Sequence, residues 1–155
     1  MNTPQQIAKH LRDVFFGKNW TCSTVKEHLE NVTLEQATKQ VYGLNSIFTI
    51  LHHLAYYLPA QINVLEGKPI LASDAESFIL PNITDETAWE NYKNNIYTSA
   101  EKLALLIEAL PQEKLFENFT NEKYGNFFRN ITGLIEHTHY HLWQIVIIKK
   151  IISMS

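Results

Sequence analysis

Apolar residues recur every three or four positions along four long stretches of the chain, and no strict alternation reaches the length of a useful strand. Ile7, Leu11, Val14 and Phe15 mark the first stretch. Thr3 ahead of Pro4 reads as a cap with proline at the first helical position, and Gln6 stands three residues past the cap. Gly17-Lys18-Asn19-Trp20 stops this helix near Phe16. The second stripe is Ile47, Ile50, Leu51, Leu54, Leu58, Ile62 and Leu65, capped by Asn45 or Ser46 and ended by Gly67. Pro59 falls inside it and should kink the helix or remove one hydrogen bond, because its ring carries no N–H. The third runs from Ala88 and Trp89 to Leu110, opened by Thr84 with Asp85 and Glu86 in the first turn and closed by Pro111. The fourth, Ile131 to Ile152, contains no proline and reads as one helix.

Between these lie shorter features. A short helix is expected within 21–32, and the capping-box pattern Thr33-Leu34-Glu35-Gln36 predicts another over 33–40. The run 68–83, with Pro69 and Pro81, is a connection longer than most helix-to-helix loops, and 112–126 reads as irregular, with Gly125 preceding the fourth helix. Four amphipathic segments without strands predict an all-α fold, a four-helix bundle, with 1–155 as a single domain.

Composition narrows the function classes. At 155 residues, 45% apolar and 19% charged, the chain has the make-up of a soluble globular protein. A net charge of -3 without a basic block argues against nucleic acid as the main partner. The C-terminal apolar run is interrupted by His, Gln and Lys, so no membrane span is expected. Met1 to Gln6 lack a signal-peptide pattern, and one cysteine, Cys22, cannot form an internal disulfide; both point to a cytoplasmic location. Cys22 has no adjacent base or basic neighbour and reads as a structural residue rather than a nucleophile.

The candidate chemistry lies in seven histidines. His137 and His141 are one helical turn apart, so both imidazoles leave the same face, a spacing that suits two ligands of one divalent metal. His139 points nearly the opposite way. In a bundle, metal sites form where side chains of facing helices project inward, so a third ligand from the second helix would complete a three-histidine site. His52 and His53 are adjacent there, about 100° apart around the axis, and the apolar stripe does not decide between them. His10 and His28 have charged neighbours and read as solvent-facing. Glu136, Tyr140 and Gln144 are close enough in sequence to orient the rings through their other nitrogens.

The segment His137-x-x-Tyr140-His141-x-x-Gln144-Ile145 resembles the last-helix motif of the DinB/YfiT-like metal-dependent bundle proteins. Asn45-Ser46-Ile47-x5-His53-Leu54-Ala55 resembles their second-helix motif, and Phe16-Gly17-x-x-Trp20 a turn often seen after the first helix. The resemblance spans nearly the whole chain in the right order. It implies a metal triad of His53, His137 and His141, with His53 chosen over His52 because Leu-Ala follows it. It also implies up-down-down-up connectivity with a long crossover at 68–83, frequent dimers, and, among characterised members, transfer of low-molecular-weight thiols. Trp143 stands where glycine is common in the family.

A metal on three imidazoles with open positions can lower the pKa of water from ~15.7 toward ~7, or take a thiol as thiolate. The expected function is therefore a divalent-metal-dependent enzyme, such as a thiol transferase acting on a small-molecule thiol. The alternatives are a metal-dependent hydrolase acting on another small substrate, a metal-carrying protein without a reaction, and a metal-free stress-related bundle. Imidazole ligands suit Zn, Ni, Fe or Mn alike. The connections 68–83 and 112–126 are expected to shape the substrate side of the site. Apolar residues outside the stripes (Trp20, Tyr56, Tyr57, Trp143, Ile147, Ile151) predict an exposed face and a homodimer through the long helices.

Overall fold

Each of the four apolar stripes becomes a helix, and their buried faces meet in one hydrophobic core. The computed structural model describes residues 1–154, and among these there are six α-helices and no strand. The first is α1 (Thr3–Phe16), capped by Asn2 rather than Thr3. The Asn2 side chain accepts from the Gln5 backbone N–H while the Gln5 side chain accepts from that of Asn2, which satisfies two orphan donors at once. Pro4 is thereby the second helical residue. Two short helices follow, α2 (Val25–Leu29), capped by Thr24, and α3 (Leu34–Thr38), which carries the Thr33–Gln36 capping box expected of it.

Ser46 caps α4 (Ile47–Leu65), which continues through Pro59. The helix α5 (Glu86–Glu108) starts at the Asp85 cap and not at Thr84. A carboxylate at a helix start gains from the dipole as well as from its bond to the Ala88 N–H, at 2.8 Å, and a hydroxyl has only the second. The last helix, α6 (Phe127–Met154), begins before its hydrophobic stripe does, because the Asn126 side chain accepts from the Arg129 N–H and buried Phe127 anchors the first turn. The connection 68–83 holds one 3-10 turn, Glu76–Phe78. The segment 112–126 is less irregular than expected: it has two 3-10 turns, Gln112–Phe116 and Glu122–Tyr124, and one antiparallel bridge between Asn118 and Asn126.

Side-chain pairs give the relative directions of the long helices. Arg12 meets Glu101 and Glu108 while Phe16 meets Tyr97, so α1 and α5 run antiparallel. Phe48 packs on Trp89, His52 on Tyr92, and Lys102 reaches Glu66 beyond the end of α4; these two helices run parallel. His53 faces His137 and His141, and Gln61 donates to the Asn130 carbonyl, so α4 and α6 are antiparallel. Trp89 is fully buried, and its indole N–H donates to the Val32 carbonyl at 2.7 Å, tying the α2–α3 segment to α5. Lys93 is buried too, its ammonium held by the Leu29 carbonyl and Glu90.

The expected exposed apolar face is smaller than the sequence implied. Trp20, Trp143 and Ile147 are exposed. Tyr56 and Tyr57 lie half-buried beneath the 68–83 connection, bonded to Glu76 and Asp74, and Ile151 packs against the core. No helix among the described residues is long and apolar enough to cross a membrane.

Candidate metal centre

Antiparallel packing of α4 and α6 sets His53 opposite the turn that carries His137 and His141. The ring centroids of His53 lie 5.0 Å from His137 and 4.7 Å from His141, and the α6 pair is 4.4 Å apart. One nitrogen from each ring falls within 4.8 Å of the other two, so the cluster could hold a metal ion. Donors held at ~2.0–2.1 Å from a tetrahedral ion stand about 3.3 Å from one another, and His53 Nε2 and His137 Nε2 are already 3.1 Å apart.

The outer nitrogens show which lone pairs are free. Ser77 Oγ donates to the Asp74 carbonyl, so toward His53 Nδ1, 2.6 Å away, it acts as acceptor. His53 therefore carries its proton on Nδ1 and presents a bare Nε2 to the cluster. His141 Nδ1 lies 2.8 Å from Gln144 Oε1, which can only accept, so its Nε2 is bare as well. Two of the three rings are thus fixed in the tautomer that a metal needs, each by a partner of the kind that orients metal-bound histidines. His137 differs: its Nδ1 is buried and has no partner.

All three rings are kept neutral. Burial holds the His137 pKa down to about 4, and the neighbouring His141 and His53 push the same way, against a small opposing effect of Asp74. His53 is lowered by burial and then by His141, and His141 by burial despite the bond to Gln144. Neutral imidazoles are the ligating form. Around them, Phe78 stacks on His53 at 4.3 Å, the Tyr57 ring stands edge-on to both His53 and His137, and Tyr140 packs on His141. Beside His137 opens a cavity of about 420 Å³ that Tyr57, Gln61, Asp74 and Arg129 also line.

The remaining histidines stay out of the cluster. His52 turns toward α5, where its Nδ1 lies 2.7 Å from the Tyr92 hydroxyl. His139 faces the exposed His10 at 6.0 Å. His28 is half-buried rather than solvent-facing: its Nε2 bonds to Ser23 and its carbonyl accepts from Lys149. Of the two connections expected to shape the substrate side, only 68–83 reaches the cluster, through Asp74, Ser77 and Phe78. Segment 112–126 lines a separate cavity near Gly67 and Phe127. Gln144 orients a ring as its spacing suggested; Glu136 is exposed and makes no bond to the cluster. Ser77, Asp74 and Gln61 carried no sequence signal beyond the unusual length of 68–83 and one glutamine inside an apolar stripe. No protein-family model, curated protein or solved structure matches the chain.

Proposed function

We propose that the chain holds a divalent metal ion on His53, His137 and His141 and acts as a metal-dependent enzyme of the DinB-like kind, with a small-molecule thiol as its substrate class. The observation that carries the metal reading is the pair of bare Nε2 atoms, each set by an acceptor on the far side of its ring. In a metal-free core the bare His53 Nε2 accepts from His137, 3.1 Å away, but two bare nitrogens turned toward one point also meet the demand of a metal ion. The antiparallel α1–α5 and α4–α6 pairs and the parallel α4–α5 pair support up-down-down-up connectivity, with 68–83 as the crossover.

Bound there, a divalent ion supplies the Lewis acidity that lets a thiol give up its proton at neutral pH. The protein's own part is orientation and shielding. Ser77 and Gln144 hold two rings, Phe78 covers His53, and Tyr57 packs edge-on against His53 and His137 at the wall of the cavity. Association through the exposed Trp143 and Ile147 on α6 is part of the same proposal, and sedimentation at micromolar concentration reads it. For the site itself, metal content by mass spectrometry should be near one ion per chain and fall to background in His137→Ala. Thiol-dependent turnover should vanish with a chelator and return with added metal. Turnover that survives both chelation and the substitution would exclude the metal mechanism.

A further inference from the structure

We propose that the cavity between the first turn of α4 and the 144–148 stretch of α6 binds a small apolar molecule bearing one neutral carbonyl oxygen. Its occupancy strengthens metal binding through Gln144. The cavity measures about 290 Å³. Ile50 and Ile148 are its buried walls, while Leu44 and Ile147 stand half-exposed, so it is open to solvent. Leu44 leaves a tight turn, closed by its own N–H on the Val41 carbonyl at 2.9 Å. Both central residues of that turn, Tyr42 and Gly43, are left-handed. Glycine adopts this backbone freely and tyrosine does not, and the exposed Tyr42 ring gains no packing in return. The strain lies where the chain sets Leu44 against the cavity.

The polar groups decide the ligand. Gln144 lines the cavity, and its Oε1 accepts from His141 at 2.8 Å. The other end of the same amide, the Nε2 with its two N–H groups, has no partner among the described residues. Unlike the sealed Gln61 Oε1 and His137 Nδ1, it is not closed off from solvent, so a molecule in the cavity can reach it. A free donor calls for an acceptor. Exposed Asn45, the other polar residue described on the wall, adds a second amide. None of the described lining residues is charged. A carboxylate would lose water among isoleucines with no cation to pair it, whereas a ketone or ester oxygen asks only for the amide. The volume lies at the small end of ligand cavities, which limits the body to about one substituted ring.

Bonded at both ends, the Gln144 amide is polarised. An acceptor on its nitrogen makes its oxygen more basic, tightens the bond from His141 Nδ1–H, and makes the opposite nitrogen of that ring a better metal ligand. This coupling rests on the metal reading; binding in the cavity does not. Coupling between two ligands is reciprocal, so a bound metal must tighten the ketone by the same factor.

The test titrates three compounds into the full chain, isotope-labelled and chelator-treated. They are 4-fluoroacetophenone, 1-ethyl-4-fluorobenzene, which lacks the oxygen, and 4-fluorobenzoate, which adds a charge. The ketone should shift the Gln144 side-chain amide signals and show NOEs to the Ile50 and Ile148 methyl groups. It should bind about fivefold more tightly than either control, the usual worth of one hydrogen bond. Gln144→Glu keeps an acceptor for His141 but offers the cavity no donor, so the preference for ketone over hydrocarbon should vanish. Zinc-loaded chain should bind the ketone at least about twofold more tightly than chelator-treated chain. No binding, no preference over the hydrocarbon, NOEs to other residues, or equal affinity in a sample that holds zinc overturns the proposal. Ketone affinity that falls as protein concentration rises would assign the cavity to a second copy seated on Ile147, and overturns it too. Zinc content is measured on the same samples. If no zinc is bound, the metal reading fails, and the cavity stands or falls on the chelator-treated titration alone.

Discussion

At the scale of single residues, the three clustered imidazoles are unusual less for their proximity than for their charge state. Histidines that keep company with acids normally titrate upward; here burial comes first, His141 further discourages protonation of His53, and both discourage that of His137. The sign of the resulting pH dependence follows from linkage. In the unfolded chain these rings take up protons near pH 6.5, whereas folded His137 does so only at about 4. Between those values the unfolded state binds more protons, so the metal-free protein loses stability as pH falls from about 6.5 toward 4 and is insensitive to these groups above that window. His137→Gln removes one such group. The urea midpoint of chelator-treated wild type should drop more between pH 7 and pH 5 than that of the variant, and equal drops would mean that His137 is not held neutral.

At the scale of elements, the 68–83 connection does more than join α4 to α5. It sends Ser77 into the buried contact with His53, lays Phe78 over the same ring, and is fastened to α4 by Tyr56 and Tyr57. Ser77→Ala should therefore weaken metal binding by roughly 10–100-fold, the usual effect of losing the partner that orients a ligating ring, with helix content by circular dichroism unchanged. A competition titration against a chromophoric chelator measures it; unaltered affinity would show that the Ser77 contact is incidental. None of this was legible in the sequence, because a connection has no periodicity to reveal which of its side chains turn inward. The helices were legible, since 3.6-residue spacing survives in each stripe, but their first residues were not. Asn2 outcompeted Thr3 and Asp85 outcompeted Thr84, whereas Gly125 did mark where α6 begins, two residues before Phe127. The His137–His141 pair followed from spacing alone. The choice between His52 and His53 did not, because it depends on which neighbour each face of α4 meets: α5 and Tyr92 for one, α6 for the other.

At the scale of the whole molecule, the cluster joins two helices whose ligands are 84 residues apart in sequence, His53 on α4 and His137 on α6. An ion held there would cross-link the fold where α4 and α6 pack, and unfolding would have to release it. For a ligand bound only by the native state, free metal at about 100 times its Kd adds about 2.7 kcal/mol. In a chain of this length, 1 kcal/mol moves Tm by roughly 2–4 °C, so a saturating divalent metal should raise Tm by about 5–10 °C over the chelator-treated protein. His53→Ala leaves two ligands on one helix and none on the other, and an ion on α6 alone no longer spans the contact. The variant will have its own, lower Tm, so the quantity that decides is the shift on adding metal, which should fall to within about 1 °C of zero. His52→Ala, whose ring belongs to the Tyr92 contact on α5, should keep the full shift whatever its baseline. The same shift in His53→Ala as in wild type would place the ion elsewhere on the protein, and no shift in wild type would remove the metal reading altogether.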